Sequence, residues 1–335
     1  MPQSRHRLLA AAPLAAALAF GTAPPAGAQP PSPDEIVDAF EAALGPIRAH
    51  RPSHPKGTCA AGHFQATPEG TRLSVAPVFN GERVNAIIRF GVAGANPNAS
   101  DVARSTRGLS FRLENARGDQ WDTASISAPI FGAPTPEALV AGLHARAPVP
   151  GTNQPDPARV AAFVAANPET TRQAAWLAAT MPPASWATTP YWGVNTFRFQ
   201  GQDRELRPAR WVFEPRAGVL RLTEEQMRSL GPNFLAEELR RRVAQAPVEF
   251  DMVLVFPAAG DDLNNPTIVW PEDRPRAVVG RLTVTSVEAG LGGPCDGISF
   301  LHLDMEPGIA FSDDPTLHAR AAPYAVSLTR RSQPR

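Results

Sequence analysis

The stretch Val248-Glu-Phe-Asp-Met-Val-Leu-Val-Phe256 carries a large apolar side chain at every second position. A period of two puts Val248, Phe250, Met252, Leu254 and Phe256 on one face of a half-buried β-strand. Residues 277–284 read likewise, and 86–91, 109–113 and 121–130 are short β-like runs separated by Gly, Asn and Asp turns. Residues 191–199 and 209–213 form a candidate hairpin. Helices are predicted over 32–48, where Ile36, Phe40 and Leu44 recur behind a Ser-Pro-Asp-Glu start, and over 157–180. A further helix is predicted over 224–246, with Met227, Leu230, Phe234, Leu239 and Val243 roughly on one face, and a last one over 315–331. The strands are too many for a helical bundle and do not alternate with helices as a parallel sheet demands. An α+β fold follows: an antiparallel barrel or strongly curved sheet with helices outside.

Upstream, Arg5, His6 and Arg7 precede an apolar run from Leu8 to Phe20 and small residues ending Ala26-Gly27-Ala28. This is the pattern of a secretory signal, and the run is too short to span a bilayer. Cleavage after Ala28 is expected, giving residues 1–28 as signal peptide, 29–335 as a single domain, and an exported, periplasmic product. No second long apolar run follows, so stable membrane insertion is not expected. The 32 basic and 32 acidic residues cancel, which argues against nucleic acid as a partner. Cys59 and Cys295 are the only cysteines. They exclude a four-cysteine zinc site, and their order leaves one bridge and two free thiols equally open.

Signatures of zinc proteases, P-loops, thiol redox motifs and serine hydrolases are missing. Gly290-Leu-Gly-Gly293 reads as a turn, and the pairs Asp261-Asp262 and Asp313-Asp314 as solvated turn carboxylates. Four segments remain. Arg51-Pro-Ser-His54-Pro-Lys56-Gly57 runs on to Gly62-His63-Phe64, and Lys56 is the only lysine in a chain of 32 basic residues. Arg89-Phe90-Gly91 is followed by Asp101-Val-Ala-Arg104, Arg107-Gly-Leu-Ser-Phe111, Trp121-Asp122 and Pro129-Ile-Phe131. Trp270-Pro-Glu-Asp273 leads to Val279-Gly-Arg-Leu282. Last come Pro307-Gly-Ile309, Ser312-Asp-Asp-Pro315, Arg320-Ala-Ala-Pro-Tyr324 and Arg331; Tyr324 is one of only two tyrosines.

Their order and spacing, from about residue 48 to 331, resemble the haem catalases and, more closely, the short catalase-related peroxidases. The resemblance implies a large antiparallel β-barrel with surrounding helices and haem b (iron protoporphyrin IX) in a deep pocket. Tyr324 matches the phenolate ligand of the iron in that family, with Arg320 one helical turn earlier to hold its negative charge. His54 matches the distal acid–base histidine, and His63 is its nearby competitor. Arg51, Arg89 and Arg331 match arginines that pair with haem propionates, and Phe131 a distal aromatic. Two positions depart from the catalase pattern. Ile126 stands where an asparagine orients peroxide, flanked by Ser125 and Ser127, and Gly91 where a serine supports the distal histidine. The sequence ends 11 residues past Tyr324, so the wrapping region, helical domain and nucleotide site of long catalases are not expected.

The resemblance implies a haem peroxidase that reduces hydrogen peroxide, or organic peroxides, with an organic electron donor and has weak or no catalase activity. Two alternatives remain from the residues: a haem-binding protein without significant turnover, and a haem-free barrel for a lipid-like ligand.

Overall fold

The computed structural model describes residues 29–46, 51–289, 293–300 and 307–332. The signal-peptide reading of 1–28 lies outside them, as do the end of the first predicted helix and most of Gly290-Leu-Gly-Gly293. Nine strands are present among the described residues: β1 (Gly57–Ala66), β2 (Arg83–Val92), β3 (Arg107–Glu114), β4 (Gln120–Ile126), β5 (Tyr191–Gln200), β6 (Leu206–Pro215), β7 (Val248–Val255), β8 (Arg276–Val287) and β9 (Ile309–Phe311). Their order is β4-β3-β2-β1-β8-β7-β6-β5, and an antiparallel contact between Ile126 and Trp192 joins β4 to β5. Eight strands thus close into an antiparallel barrel, with β9 added along β5. Closure brings the two end strands of the sheet together at this contact, and β9 pairs with residues 197–199 of β5.

The period of two in the 248–256 stretch is what fills the barrel. Val248, Phe250, Met252 and Leu254 are buried, whereas Asp251 faces outward and binds Arg281 at 3.0 Å. Phe64, Phe90, Phe111, Trp121, Trp211 and Phe213 join them in one cluster. Tyr191 lies fully inside it, its hydroxyl donating to the Trp186 carbonyl at 3.1 Å. Burial raises its pKa, so this tyrosine stays a neutral core residue. The lone lysine is also interior. Lys56 Nζ sits 2.7 Å from Asp101 and donates at 2.6 Å to the carbonyls of Ala99 and Pro232. An ion pair and two carbonyl acceptors compensate the buried ammonium. Asp101 in turn accepts from the Leu235 amide at 2.8 Å, tying the start of β1 to a helix N-terminus.

Helices flank the barrel: α1 (Pro33–Leu44), α2 (Pro68–Leu73), α3 (Pro136–Arg146), α4 (Pro157–Ala166), α5 (Arg172–Ala179), α6 (Glu224–Ser229), α7 (Phe234–Gln245), α8 (Pro315–His318) and α9 (Ala321–Ser332). Ser32 and Glu35 form a reciprocal capping box at the start of α1. Prolines correct the predicted lengths. Pro168 splits the predicted 157–180 helix into α4 and α5, because proline has no amide to continue the ladder. Gly231-Pro232 likewise separates α6 from α7, and α8 and α9 replace one closing helix. Strand β4 stops at Ile126 rather than 130, short of Pro129. Strand β1 and helix α3 are additions, since the small residues of Gly57–Ala66 show no clear alternation.

Cys59 and Cys295 form a disulfide across 236 residues of sequence, which settles the alternative left open above. The bridge packs with Phe300 in a small buried cluster of its own. Closing so long a loop restricts the unfolded chain, by about 2–5 kcal/mol of stability. The variant Cys295→Ser should therefore melt about 5–15 °C lower than the native protein. Calorimetry on both proteins under non-reducing conditions checks this; equal melting temperatures would mean the bridge contributes nothing to stability.

Candidate active site

Helix α9 presents Tyr324, Ser327 and Arg331 at spacings of three and four, with Arg320 one turn ahead of Tyr324, so all four share one face. That face lines a cavity. Arg320 is held by a chain of polar contacts from the Ser-Asp-Asp-Pro motif. Asp314 is completely buried and caps α8, accepting from the Thr316 amide at 2.8 Å. Its other oxygen accepts from Asn195 Nδ2 at 2.8 Å, and Asn195 Oδ1 accepts from Arg320 Nη1 at 3.0 Å. Asp314 is therefore a structural anchor, not the solvated turn carboxylate its sequence suggests. Arg320 Nη2 then reaches the Tyr324 hydroxyl at 3.4 Å. The charge of Arg320 is the main cause of a lowered Tyr324 pKa, against the opposing effect of burial.

His54 enters the cavity from the loop before β1, with its backbone in the left-handed region at φ 58°. Its amide donates to the Gly94 carbonyl at 3.1 Å, which holds the turn. Nδ1 lies 3.0 Å from Ser53 Oγ, while Nε2 is buried with no hydrogen-bond partner among the described residues. Burial, and then the charges of Arg89, Arg107 and Arg51, lower the pKa of His54 to about 3, so the ring is neutral at ordinary pH. The ring packs against two strands that carry glycine at the contact. A Cβ on Gly108 would stand 3.2 Å from His54 Cδ2, and one on Gly91 3.3 Å from His54 Cβ.

Three guanidiniums gather at the same cavity. Arg51 donates to the main-chain carbonyls of Cys295, Asp296 and Ile298 and lies over the Phe300 ring. Arg89 pairs with Asp296 at 2.9 Å, and Arg331 donates to Ser299 Oγ at 3.1 Å. Burial and mutual repulsion lower the pKa of Arg51 to about 9, and burial lowers those of Arg89 and Arg331. Apart from the Pro55 carbonyl, to which Arg89 also donates, these partners belong to the segment that the disulfide fastens to β1. Phe131 and Ile126 line the cavity too, as do Ile36, Phe40 and Leu139 from α1 and α3.

The structure thus brings together His54, Arg51, Arg89, Phe131, Arg320, Arg331 and Tyr324, residues spread from 51 to 331 in sequence. His63 is not among them: it lies in β1 between Asn85 and Thr283. Ser127 also stands apart, accepting from the Arg107 amide at 2.8 Å, whereas Ser125 lines the cavity and accepts from Trp211 Nε1 at 2.9 Å. Sequence reading missed Asn195 and Ser53. An asparagine inside an apolar strand was the available signal for the first; nothing distinguished Ser53.

A sequence model of the catalase family matches residues 47–334. The chain belongs to the catalase family. It is 37% identical over 302 residues to a "Catalase-related peroxidase" of Synechococcus elongatus, covering 90% of this chain and 89% of that protein. A "Catalase-related peroxidase" of Mycolicibacterium paratuberculosis is 31% identical over 302 residues, covering 90% and 95%. Among solved structures, catalase A from Saccharomyces cerevisiae superposes with a TM-score of 0.76 at 19% identity, covering 84% of this chain and 61% of that one. A fungal catalase gives 0.75 at 20% identity, covering 85% and 60%. The chain spans about 60% of the length of these solved catalases, and the barrel with its helices is theirs. It is a peroxide-degrading oxidoreductase of the catalase family, and the family implies haem.

The residues of this catalase-family cavity fit that group. An apolar lining suits a macrocycle. Among the described residues Arg51, Arg89 and Arg331 have one paired carboxylate, Asp296, and Arg51 Nε is buried without a partner, so anionic side groups would complement them. Tyr324, with its lowered pKa, offers a phenolate to iron.

Proposed function

We propose that this chain is a haem b-dependent peroxidase that reduces hydrogen peroxide, or an organic peroxide, at the expense of an organic electron donor. The observation that carries this reading is the pairing in one cavity of an Arg320-supported Tyr324 with a neutral His54 whose Nε2 is free. Tyr324 would hold the iron, and Arg51, Arg89 and Arg331 would bind the propionates. Bound haem supplies the electron chemistry, taking two electrons' worth of oxidation from peroxide and passing it on to a donor. His54 Nε2 is placed to accept a proton from peroxide and hand it to the departing oxygen. The pattern of residues 5–28 and the buried disulfide both support export to an oxidising compartment. Dye oxidation by the haem-loaded protein and peroxide tests the reading; haem uptake with no peroxide-dependent oxidation would leave only a haem-binding role.

Ile126 sets the balance between peroxidase and catalase turnover. Catalase turnover needs a second peroxide to be bound and oriented, and an isoleucine side chain offers it neither donor nor acceptor. A missing hydrogen bond in a dry pocket costs the bound peroxide about 1 kcal/mol. Electron transfer from an organic donor has no such requirement. Dye oxidation should exceed oxygen release, and Ile126→Asn should move the ratio roughly fivefold toward oxygen. Parallel oxygen-electrode and dye traces on each protein check this; vigorous oxygen release by the unmutated protein would remove Ile126 from the account.

A further inference from the structure

We propose that the Cys59–Cys295 disulfide is the positioning element of the haem site: it pins residues 293–300 to β1, that segment holds Arg51, Arg89 and Arg331 at the cavity, and the bridged chain therefore retains haem more firmly than the dithiol chain. The proposal rests on the reading of these arginines as the propionate-binding groups and deepens it.

Each arginine loses much rotamer freedom when it is fixed, and three like charges at one cavity repel one another. They gather only against acceptors that stay in place. Here the acceptors come from one short segment. Arg51 Nη2 donates to the carbonyls of Cys295 at 3.1 Å, Asp296 at 3.3 Å and Ile298, and its guanidinium lies over the Phe300 ring at 5.7 Å. Arg89 Nε is 2.9 Å from Asp296 Oδ1, and Arg331 Nη2 donates to Ser299 Oγ at 3.1 Å.

The segment has little else to hold it. Its one regular element is a single 3-10 turn, Pro294–Gly297. The bonds from the Asp296 amide to the Gly293 carbonyl and from the Ile298 amide to the Cys295 carbonyl stay within it. Among the described residues, its hydrogen bonds to the rest of the chain run to the three arginines and to Cys59 Sγ, which accepts from the Cys295 amide at 3.2 Å. Its buried apolar cluster is Cys59, Cys295 and Phe300, separate from the barrel core. Without the bridge, the segment would rest on the arginines it has to position. Cys59 is the fixed end. It lies within β1, in register with Arg89 of β2, and its carbonyl accepts from the Glu288 amide at 2.9 Å. The bridge thus ties the acceptors to the strand pair that carries Arg89.

The test compares the bridged full-length protein with the double variant Cys59→Ala/Cys295→Ala, each loaded with haem b or with its dimethyl ester, whose side groups carry no charge. Release is followed in the cold by transfer to excess apomyoglobin, with circular dichroism to check the fold. The native protein should release haem at least about tenfold more slowly than the ester. Loss of the bridge should speed haem release about tenfold and ester release less than about twofold, whereas a general loosening would speed both alike. The native chain refolded with both thiols reduced should show the fast release. Exchange with oxidised glutathione, which joins the two sulfurs and yields two molecules of reduced glutathione, should restore the slow one. Unchanged haem release in the double variant, equal acceleration of haem and ester, or no recovery on reoxidation would overturn the proposal. A double variant that does not fold would also overturn it, because the bridge would then be holding the fold as a whole. Native protein that releases haem and ester at the same rate would overturn the propionate reading itself, and the proposal with it.

Discussion

Replacing His54 by alanine is expected to slow the reaction of the haem-loaded protein with peroxide by about 10²–10⁴-fold, the usual contribution of a general acid–base residue. Haem content should stay unchanged, because His54 contributes none of the polar anchors of the cavity. The size of the effect follows from isolation: among the described residues lining the cavity, no other histidine is present, and His63 lies on β1 away from it. A pKa near 3 also fixes the pH dependence. The native ring stays neutral from neutral pH to about pH 4, so the peroxide step should be flat over that range and fall only nearer 3. Stability runs with a defined sign. The unfolded chain takes up a proton below about 6.5, whereas the native ring refuses it until about 3. The stability of the native state is therefore lost as pH falls through that window, and His54→Ala should lessen the loss. Stopped-flow mixing with peroxide and acid-unfolding curves of both proteins check these statements; an unslowed variant would take His54 out of the proton transfer.

Tyr324→Phe is the second large effect. The ring volume is kept and only the oxygen is lost, so packing on α9 is preserved while the proposed donor to iron is removed. Haem retention should fall at least about tenfold, or any haem retained should lose the spectrum of phenolate-bound high-spin iron. Arg320 makes this oxygen special. It is 3.4 Å from the hydroxyl and is locked by Asn195 and Asp314, so its charge stays beside the phenolate. The other tyrosine cannot replace it, since Tyr191 is fully buried in the barrel and hydrogen-bonded to Trp186. An unaltered absorption spectrum in Tyr324→Phe would assign the iron to another residue.

The strands were legible where side chains alternate in size and polarity. The 248–256 stretch pointed to a half-buried strand, and β7 buries Val248, Phe250, Met252 and Leu254. Strand β1 escaped because Ala60, Ala61 and Gly62 give no alternation, although it pairs with both β2 and β8. Helix lengths were overread where proline and glycine interrupt an apolar period, as at Pro168 and Gly231-Pro232. Lys56 had stood out by rarity, and the structure gives the reason in its ion pair with Asp101 and two carbonyls. Most of the site came from motif order, which places distant residues without saying how they are held. The contacts that hold them were illegible: Asn195 between Asp314 and Arg320, Ser53 against His54, and the disulfide-fastened segment under Arg51, Arg89 and Arg331. Each depends on a meeting between residues far apart in sequence, or on a rotamer, and neither leaves a local pattern.

A pyridine haemochrome assay on the purified protein tests the central claim most directly. The account predicts about one haem b per chain, retained through gel filtration or restored when hemin is supplied to folded protein. A folded, disulfide-bonded preparation that takes up no iron porphyrin even from added hemin would contradict it.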